Sequence, residues 1–136
     1  MIYEYTGEQK IVDGMVLRRI RATTTLIDRG ISEGDVGGWI ESDSNLIDRG
    51  WVGEDAVVCQ GAVVSDDAQV RHRGQVRGTA RIRDTAVVYD DAIVTDAIVA
   101  DASSVGGDAQ VGAGCVLVVD THLRTGVFPV AAGHSE

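Results

Sequence analysis

Three histidines, His72, His122 and His134, are the side chains best suited to chemistry near neutral pH in this 136-residue chain. A histidine can act as the general base of an acyl transfer or as a zinc ligand. A zinc site built on histidines wants two of them a few residues apart; here the spacings are 50 and 12. His134 stands two residues from the end of the sequence and is set aside. His72 sits in Arg71-His72-Arg73, the composition of a solvated turn, and His122 in Asp120-Thr121-His122. These two are the candidates for a base. The plainer reading, that all three histidines are surface residues, is favoured over it. No Gly-rich phosphate loop, Ser-His-Asp arrangement or Cys-His pair emerges elsewhere.

The other concentration of chemistry is charge. Arg71, Arg73, Arg77, Arg81 and Arg83 form the one basic band, suited to an anion or to a partner's acidic surface. The chain as a whole is acidic, with 12 Lys plus Arg against 21 Asp plus Glu and a net charge of −9. Nucleic acid and anionic lipid both need a positive footprint, so neither is an expected partner. Charges within the first twenty residues argue against a secretory leader, and no apolar run reaches spanning length. Two cysteines cannot build a disulfide framework. A reduced, cytoplasmic protein without a cofactor is expected.

What positions these residues is a repeat. From Ile40 an aliphatic residue returns every sixth position: Ile40, Leu46, Val52, Val58, Val64, Val70, Val76, Ile82, Val88 and Val94. Four residues after each comes a small one, from Ser44 and Gly50 through Ala56, Ala62 and Ala68 to Ala92. One residue is missing at Thr95-Asp96-Ala97-Ile98. The pattern then resumes at Val99, Val105, Val111 and Leu117, with Ala109 and Cys115 in small slots. Alternate residues of a strand share a face, so the small residue and the aliphatic two later both point inward. The next two residues form a corner, where Asp and Gly tolerate the backbone angles required. Helices would need apolar spacings of three and four, and they are not there. Three hexads make an eighteen-residue triangular coil, and coils stack at about 4.8 Å. The expected fold is all-β, a left-handed parallel β-helix over residues 40–118. Residues 1–39 provide an N-terminal β-hairpin cap and entry to the first coil; residues 119–136 form a C-terminal tail.

Within the cap, Ile2 to Tyr5, Gln9 to Val12 and Met15 to Ala22 read as strands, with Asp13-Gly14 as a tight turn. Leu26-Ile27-Asp28-Arg29-Gly30 recurs identically as Leu46-Ile47-Asp48-Arg49-Gly50.

Gly34-Asp35-Val36-Gly37-Gly38-Trp39-Ile40-Glu41-Ser42, then Asn45-Leu46 and the D-A-x-V hexads, resemble the YdcK-like hexapeptide-repeat proteins of bacteria and their prophages. So does Met15-Val16-Leu17-Arg18-Arg19-Ile20-Arg21-Ala22. The resemblance covers residues 3 to 117, and the Gly-Asp-Val-Gly-Gly-Trp stretch is its most specific part. It implies the left-handed β-helix that such chains share with trimeric acyltransferases. Chains of this kind are often labelled acyltransferases or polymer-forming cytoskeletal proteins, but the resemblance implies no established activity.

A coenzyme A-dependent acyltransferase with inter-subunit sites would use His72 or His122 as base. It would also want a loop projecting from the coils, and hexads 40 to 94 carry no insertion. Stacking at eighteen residues places Asp48, Asp66, Asp84 and, after the deletion, Asp101 on one corner. That column is a candidate cation site set against the simpler fact that Asp suits corners. A second corner stacks Glu54-Asp55, His72-Arg73 and Asp90-Asp91, acid over base over acid. Outward apolar positions include Trp39, Trp51, Val57, Val63, Val87, Tyr89, Ile93 and Ile98. Cys59 points outward and Cys115 inward. With the arginine band, Trp39, Trp51 and Tyr89 are the expected partner-binding residues. The reading that emerges is a non-enzymatic solenoid acting as a structural or protein-binding module of bacterial or phage origin. A homotrimer is expected ahead of a monomer. The alternatives are the acyltransferase and an acidic inhibitor of a host defence or nucleic-acid-binding protein.

Overall fold

Tyr3–Val12 (β1) and Met15–Ala22 (β2) pair antiparallel around Asp13-Gly14. Both turn residues are left-handed, at φ 51° and 79°, as a two-residue hairpin turn with the right twist demands. The two strands expected before the turn are one. The register shifts between Tyr5 and Gln9, and Gly7 at φ 100° takes up the bulge. The computed structural model describes residues 2–128.

After the hairpin the chain winds as a parallel β-solenoid of about five turns. Each turn contributes short strands to three sheets. The first face runs from Val36–Ile40 (β3) through Val57–Val58, Gln75–Arg77, Ile93–Thr95 and Gln110–Val111 to Val127–Phe128. The second takes Trp51–Val52, Gln69–Val70, Val87–Val88, Ser104–Val105 and His122–Leu123. The third takes Val63–Val64, Arg81–Ile82, Ile98–Val99 and Val116–Leu117. In-register pairs such as Val57 with Gln75 and Val58 with Val76 reproduce the eighteen-residue period. Across the deletion the step drops to seventeen, as Val99 pairs with Ile82.

The core is the hexad pattern in three dimensions. Val52, Val58, Val64, Val70, Val76, Ile82, Val88, Val94 and Val99 are fully buried, and so are the alanines between them. Removing a branched side chain of this size from water stabilises by about 1.5–3 kcal/mol. Alanine and glycine in the other inward slot leave room for it. Gly37 and Gly38 belong to the same logic. A Cβ on Gly37 would lie 2.6 Å from the Val52 carbonyl oxygen, and one on Gly38 would collide with the Ala56 carbonyl. The glycine pair is what lets β3 lie against the next coil.

Two expectations are corrected. The coil does not stop at 118: His122–Leu123 and Val127–Phe128 pair in parallel with the preceding turn, and Leu123 and Phe128 pack on the core. The pattern is hidden there because Thr121 follows Leu117 in the small slot, and a second shortened step separates Leu123 from Phe128. Trp39 and Trp51, expected on exposed faces, are 7% and 4% exposed. Cys59 does point outward from the prism, but it is covered and only 4% exposed. The reason is the hairpin and the loop after it. Leu17 of β2 clusters with Trp39 and Cys59, with Met15 and Val57 against them. Lys10 and Arg19 lie 4.4 and 5.0 Å from the Trp39 ring, a cation–π contact on each. The Trp51 ring lies across Gly37 and Gly53. No helix among the described residues is long and apolar enough to cross a membrane.

Candidate functional site

The corner side chains have a defined occupation. Nearly every corner residue has a left-handed backbone: Asp48, Glu54, Gln60, Asp66, His72, Gly78, Asp84, Asp90, Asp96, Asp101 and Gly107 all have φ between 55° and 69°. The side chains of Asp48, Glu54, Gln60, Asp66, His72, Asp84, Asp90 and Asp101 reach along the solenoid and accept the backbone N–H of the corner residue one turn later. On the first corner Asp48, Asp66, Asp84 and Asp101 accept from Asp66, Asp84, Asp101 and Val119 at 3.2, 3.1, 2.9 and 2.7 Å. No group of three metal-ligating side chains forms among the described residues.

On the second corner Glu54 accepts from the His72 amide at 3.2 Å, His72 Nδ1 from Asp90 at 3.1 Å, and Asp90 from Gly107 at 3.2 Å. His72 is thus one member of a backbone-binding ladder, with Glu54 3.7 Å from its Nε2. Beside it Arg73 grips Asp91 through Nε and Nη2 at 2.5 and 2.9 Å. That pairing holds the Asp91 carboxyl below its ordinary range. The Tyr89 ring stands edge-on to His72 at 6.4 Å and covers Gly106, where a Cβ would collide with it.

His122 lies elsewhere. It is exposed on the second face, with Nδ1 2.7 Å from the Ser104 hydroxyl. Three strand rungs separate its strand from Gln69–Val70, next to the His72 corner, which is about 14 Å. The two histidines do not share a site. The arginine band is also distributed. Arg77 donates to Thr95 at 3.4 Å on the first face, Arg81 donates to the carbonyls of Gly61, Thr79 and Ala80 on the third, and Arg83 is exposed beside it.

Arg71 is different, because it lines a cavity of about 330 Å³ between the 29–36 loop and the second face. The loop is built by a short 3-10 turn, Ile27–Arg29, closed by left-handed Gly30 and by a bridge between Leu26 and Ile31. This turn directs Arg29 inward, leaving its side chain 5% exposed. Arg29 Nη2 binds Asp67 at 3.1 Å, and Nη1 donates to the Arg49 carbonyl. Arg49, its counterpart in the repeated Leu-Ile-Asp-Arg-Gly motif, meets the same Asp67 oxygen at 3.4 Å.

Three buried side-chain polar atoms lack a hydrogen-bond partner among the described residues: Arg29 Nε, Gln69 Oε1 and Arg71 Nε. All three residues line this cavity. Leaving such a group unsatisfied costs about 1–3 kcal/mol; the three atoms themselves are closed off from solvent. Asp35 and Glu54 supply negative charge to its wall, and Val36 and Trp51 supply apolar surface. Arg29 and Gln69 were not among the residues singled out from sequence. The duplicated Leu-Ile-Asp-Arg-Gly segment was the available signal for Arg29; Gln69 occupies an ordinary outward strand position.

A second cavity of about 310 Å³ lies under the hairpin, between Met15, Leu17, Val57 and Cys59, with Lys10 and Arg77 at its edge. Burial pushes the Cys59 thiol up, away from the reactive thiolate. No protein-family model matches the chain, and no curated protein matches it.

Proposed function

We propose that the chain is a rigid, non-enzymatic module that works by presenting its solenoid faces, either as a structural element or to a protein partner. What supports the reading most directly is the corner ladder. The corner carboxylates and His72 are engaged with the backbone of the next turn, which stiffens the rod. The hexad period supports left-handed winding, and the YdcK-like resemblance is consistent with a bacterial or phage source.

The third face is the surface this role would use. The hairpin covers the first face near Trp39 and Cys59, and the 29–36 loop stands over the second. The third carries Val63, Arg81, Ile98 and Val116 outward, and Val116 is 56% exposed. Its outward aliphatic residues support association through this face, and a homotrimer is the assembly proposed. Free Cys59 and Cys115 fit a reducing compartment such as the cytoplasm.

Light scattering on a gel-filtration column at low and high salt tests the assembly. A salt-independent trimer that Ile98→Glu dissociates is expected. A monomer at both salts would overturn the trimer and, with it, any inter-subunit cleft for an acyltransferase. Acyl transfer to any acceptor that His72→Ala or His122→Ala abolishes would overturn the non-enzymatic reading.

A further inference from the structure

We infer that the far end of the solenoid binds a second copy of this chain, end to end across a two-fold axis. This contact lies beyond the scaffold role and does not depend on association through the third face. Val116–Leu117, His122–Leu123 and Val127–Phe128 each close their sheet, with a parallel neighbour on one side only among the described residues. At the other end the hairpin pairs with β3 and covers the first face, so the two ends are not alike. The inward residues change together with the pairing. Val99, Val105 and Val111 are buried, whereas Leu117, Leu123 and Phe128, one turn on, are only partly so. Val118, Val119 and Val127 of the same turn are exposed. Open strand edges over a partly exposed core are a template for further strands. Natural edges are commonly blunted by Lys, Glu or Pro, and none of these six strand residues is one of them.

Charge selects the partner. Residues 112–128 hold one acid, Asp120, and one fixed base, Arg124, in a chain of net charge −9. Two such chains repel over most of their surface and least at this neutral end. Asp120 and Arg124 are both exposed, and neither has an ion-pair partner among the described residues. They stand two residues to either side of His122. A two-fold axis across the rod turns the second copy end for end, so its strands run antiparallel to those they meet. With His122 opposite its own copy, Asp120 of each chain faces Arg124 of the other, twice by symmetry. The backbone agrees with this register. The Ser104 amide donates into the last turn, to the Thr121 carbonyl, and His122 is the next rung after Ser104. The His122 amide therefore points off the end and can exchange N–H···O bonds with its copy. On either side Val116–Leu117 meets Val127–Phe128 of the second copy, and Leu117, Leu123 and Phe128 lose their remaining exposure to water. The end of one coil is small beside a standard interface, so the association is concentration-dependent rather than permanent.

The test is disulfide trapping in the full chain. His122→Cys, in a Cys115→Ser background, sets a thiol on the two-fold axis with its Cα about 5.5 Å from that of its copy. That separation is within disulfide range. Mild oxidation should give a covalent dimer on a non-reducing gel. Ser104→Cys in the same background, one turn inward on the same face, should be trapped at least about tenfold more slowly, because no pairing concentrates it. Adding Arg124→Asp to His122→Cys should slow trapping about tenfold, since acid then faces acid in both pairs. Adding Asp120→Arg as well should restore the rate. The readout belongs to the end itself, so side-by-side assembly through the third face neither produces nor prevents it. Trapping at 122 no faster than at 104 would overturn the proposal and mean that residues 129–136 of the same chain, or another protein, cover this end. Failure of the charge swap to restore trapping in folded protein would overturn it as well. Should the charge variants disturb the fold, the comparison of 122 with 104 alone decides.

Discussion

The backbone amide of Asp84 donates to a carboxylate oxygen of Asp66, one turn earlier, at 3.1 Å. This one contact explains why a column of like charges is stable. Each aspartate sits left-handed at a corner, where its own backbone angle would cost most residues about 1–2 kcal/mol. Its carboxylate then meets an N–H that the turn would otherwise leave to water. The same relation runs down a different corner through Glu54, His72 and Asp90. It also runs through Glu41, which accepts from the Gln60 amide at 2.6 Å, and Gln60, which accepts from Gly78 at 2.7 Å. Where a residue is deleted, Asp96 accepts the Thr79 amide at 2.8 Å and so bridges the shortened turn.

Asp66→Ala should therefore destabilise the fold by about 1–2 kcal/mol, combining the lost acceptor with an alanine forced left-handed. Asp66→Asn keeps both the carbonyl oxygen and the tolerance for that backbone region, and should stay within about 0.5 kcal/mol of the parent. Denaturant unfolding of the two variants decides it. Equal damage from both would mean that the negative charge itself is needed, as a bridging cation would require.

Much of this architecture was legible from the hexads alone, because a β-solenoid writes its core into a fixed period. Val58, Val76 and Val94 are buried where that period places them. Position in the coil also gave the acid–base–acid corner, which forms as Arg73 on Asp91. What the period could not show is which outward residues another segment covers. Trp39 and Cys59 face away from the prism, and only the hairpin's path makes them interior. The 330 Å³ cavity was invisible for a related reason. Arg29 and Gln69 are forty residues apart and in different structural contexts, so no spacing rule joins them.

Asn45 is the polar residue on which the start of the third face depends. Its side chain is fully buried, donating to the Gln60 and Ala62 carbonyls at 3.0 and 2.8 Å and accepting from the Glu41 and Ser42 amides at 3.1 and 2.8 Å. Sequence periodicity assigned the small slot to Ser44, but a 3-10 turn over Asp43–Asn45 brings in the asparagine instead. Asn45→Ala strands three backbone groups, the Glu41 amide keeping the Val58 carbonyl at 3.3 Å, and should cost about 2–4 kcal/mol. Thermal melts test this, and a loss below about 1 kcal/mol would mean that water replaces the amide at no great cost.

Gly38 makes a sharper steric prediction. A Cβ there meets the Ala56 carbonyl and comes within 2.9 Å of a Val52 methyl. Neither can retreat, one being backbone and the other core. Gly38→Ala should destabilise by about 1–3 kcal/mol through overpacking. Gly14→Ala, with nothing near its missing Cβ, should cost less, through its left-handed φ of 79° alone. Parallel denaturation curves rank the two, and the reverse order would refute the close approach of β3 to the next coil.

The attachment of the hairpin should be pH-dependent in a stated direction. Tyr3 and Tyr5 both donate their hydroxyls to one oxygen of Asp43, at 2.7 and 2.6 Å, with their rings edge to face. Burial first, and the bond to Asp43 second, push Tyr5 from 10.0 up to about 12 and Tyr3 higher still. The folded state thus holds these protons more tightly than the unfolded one. The stability they contribute is complete below about pH 10 and is lost as pH rises through about 12. Asp43 is held below its ordinary value, chiefly by the two hydroxyls, so its contribution is lost as pH falls through the acid range. That acid effect should be slight, because Asp43 is exposed. A tyrosinate absorbance titration in a Tyr89→Phe background reads Tyr3 and Tyr5 alone, and melts across the same range read stability. Asp43→Asn should lower both tyrosine midpoints and flatten the acid limb. Titration of Tyr5 near 10 in the parent would show that its hydroxyl is not held by Asp43 and that the hairpin is anchored by other contacts.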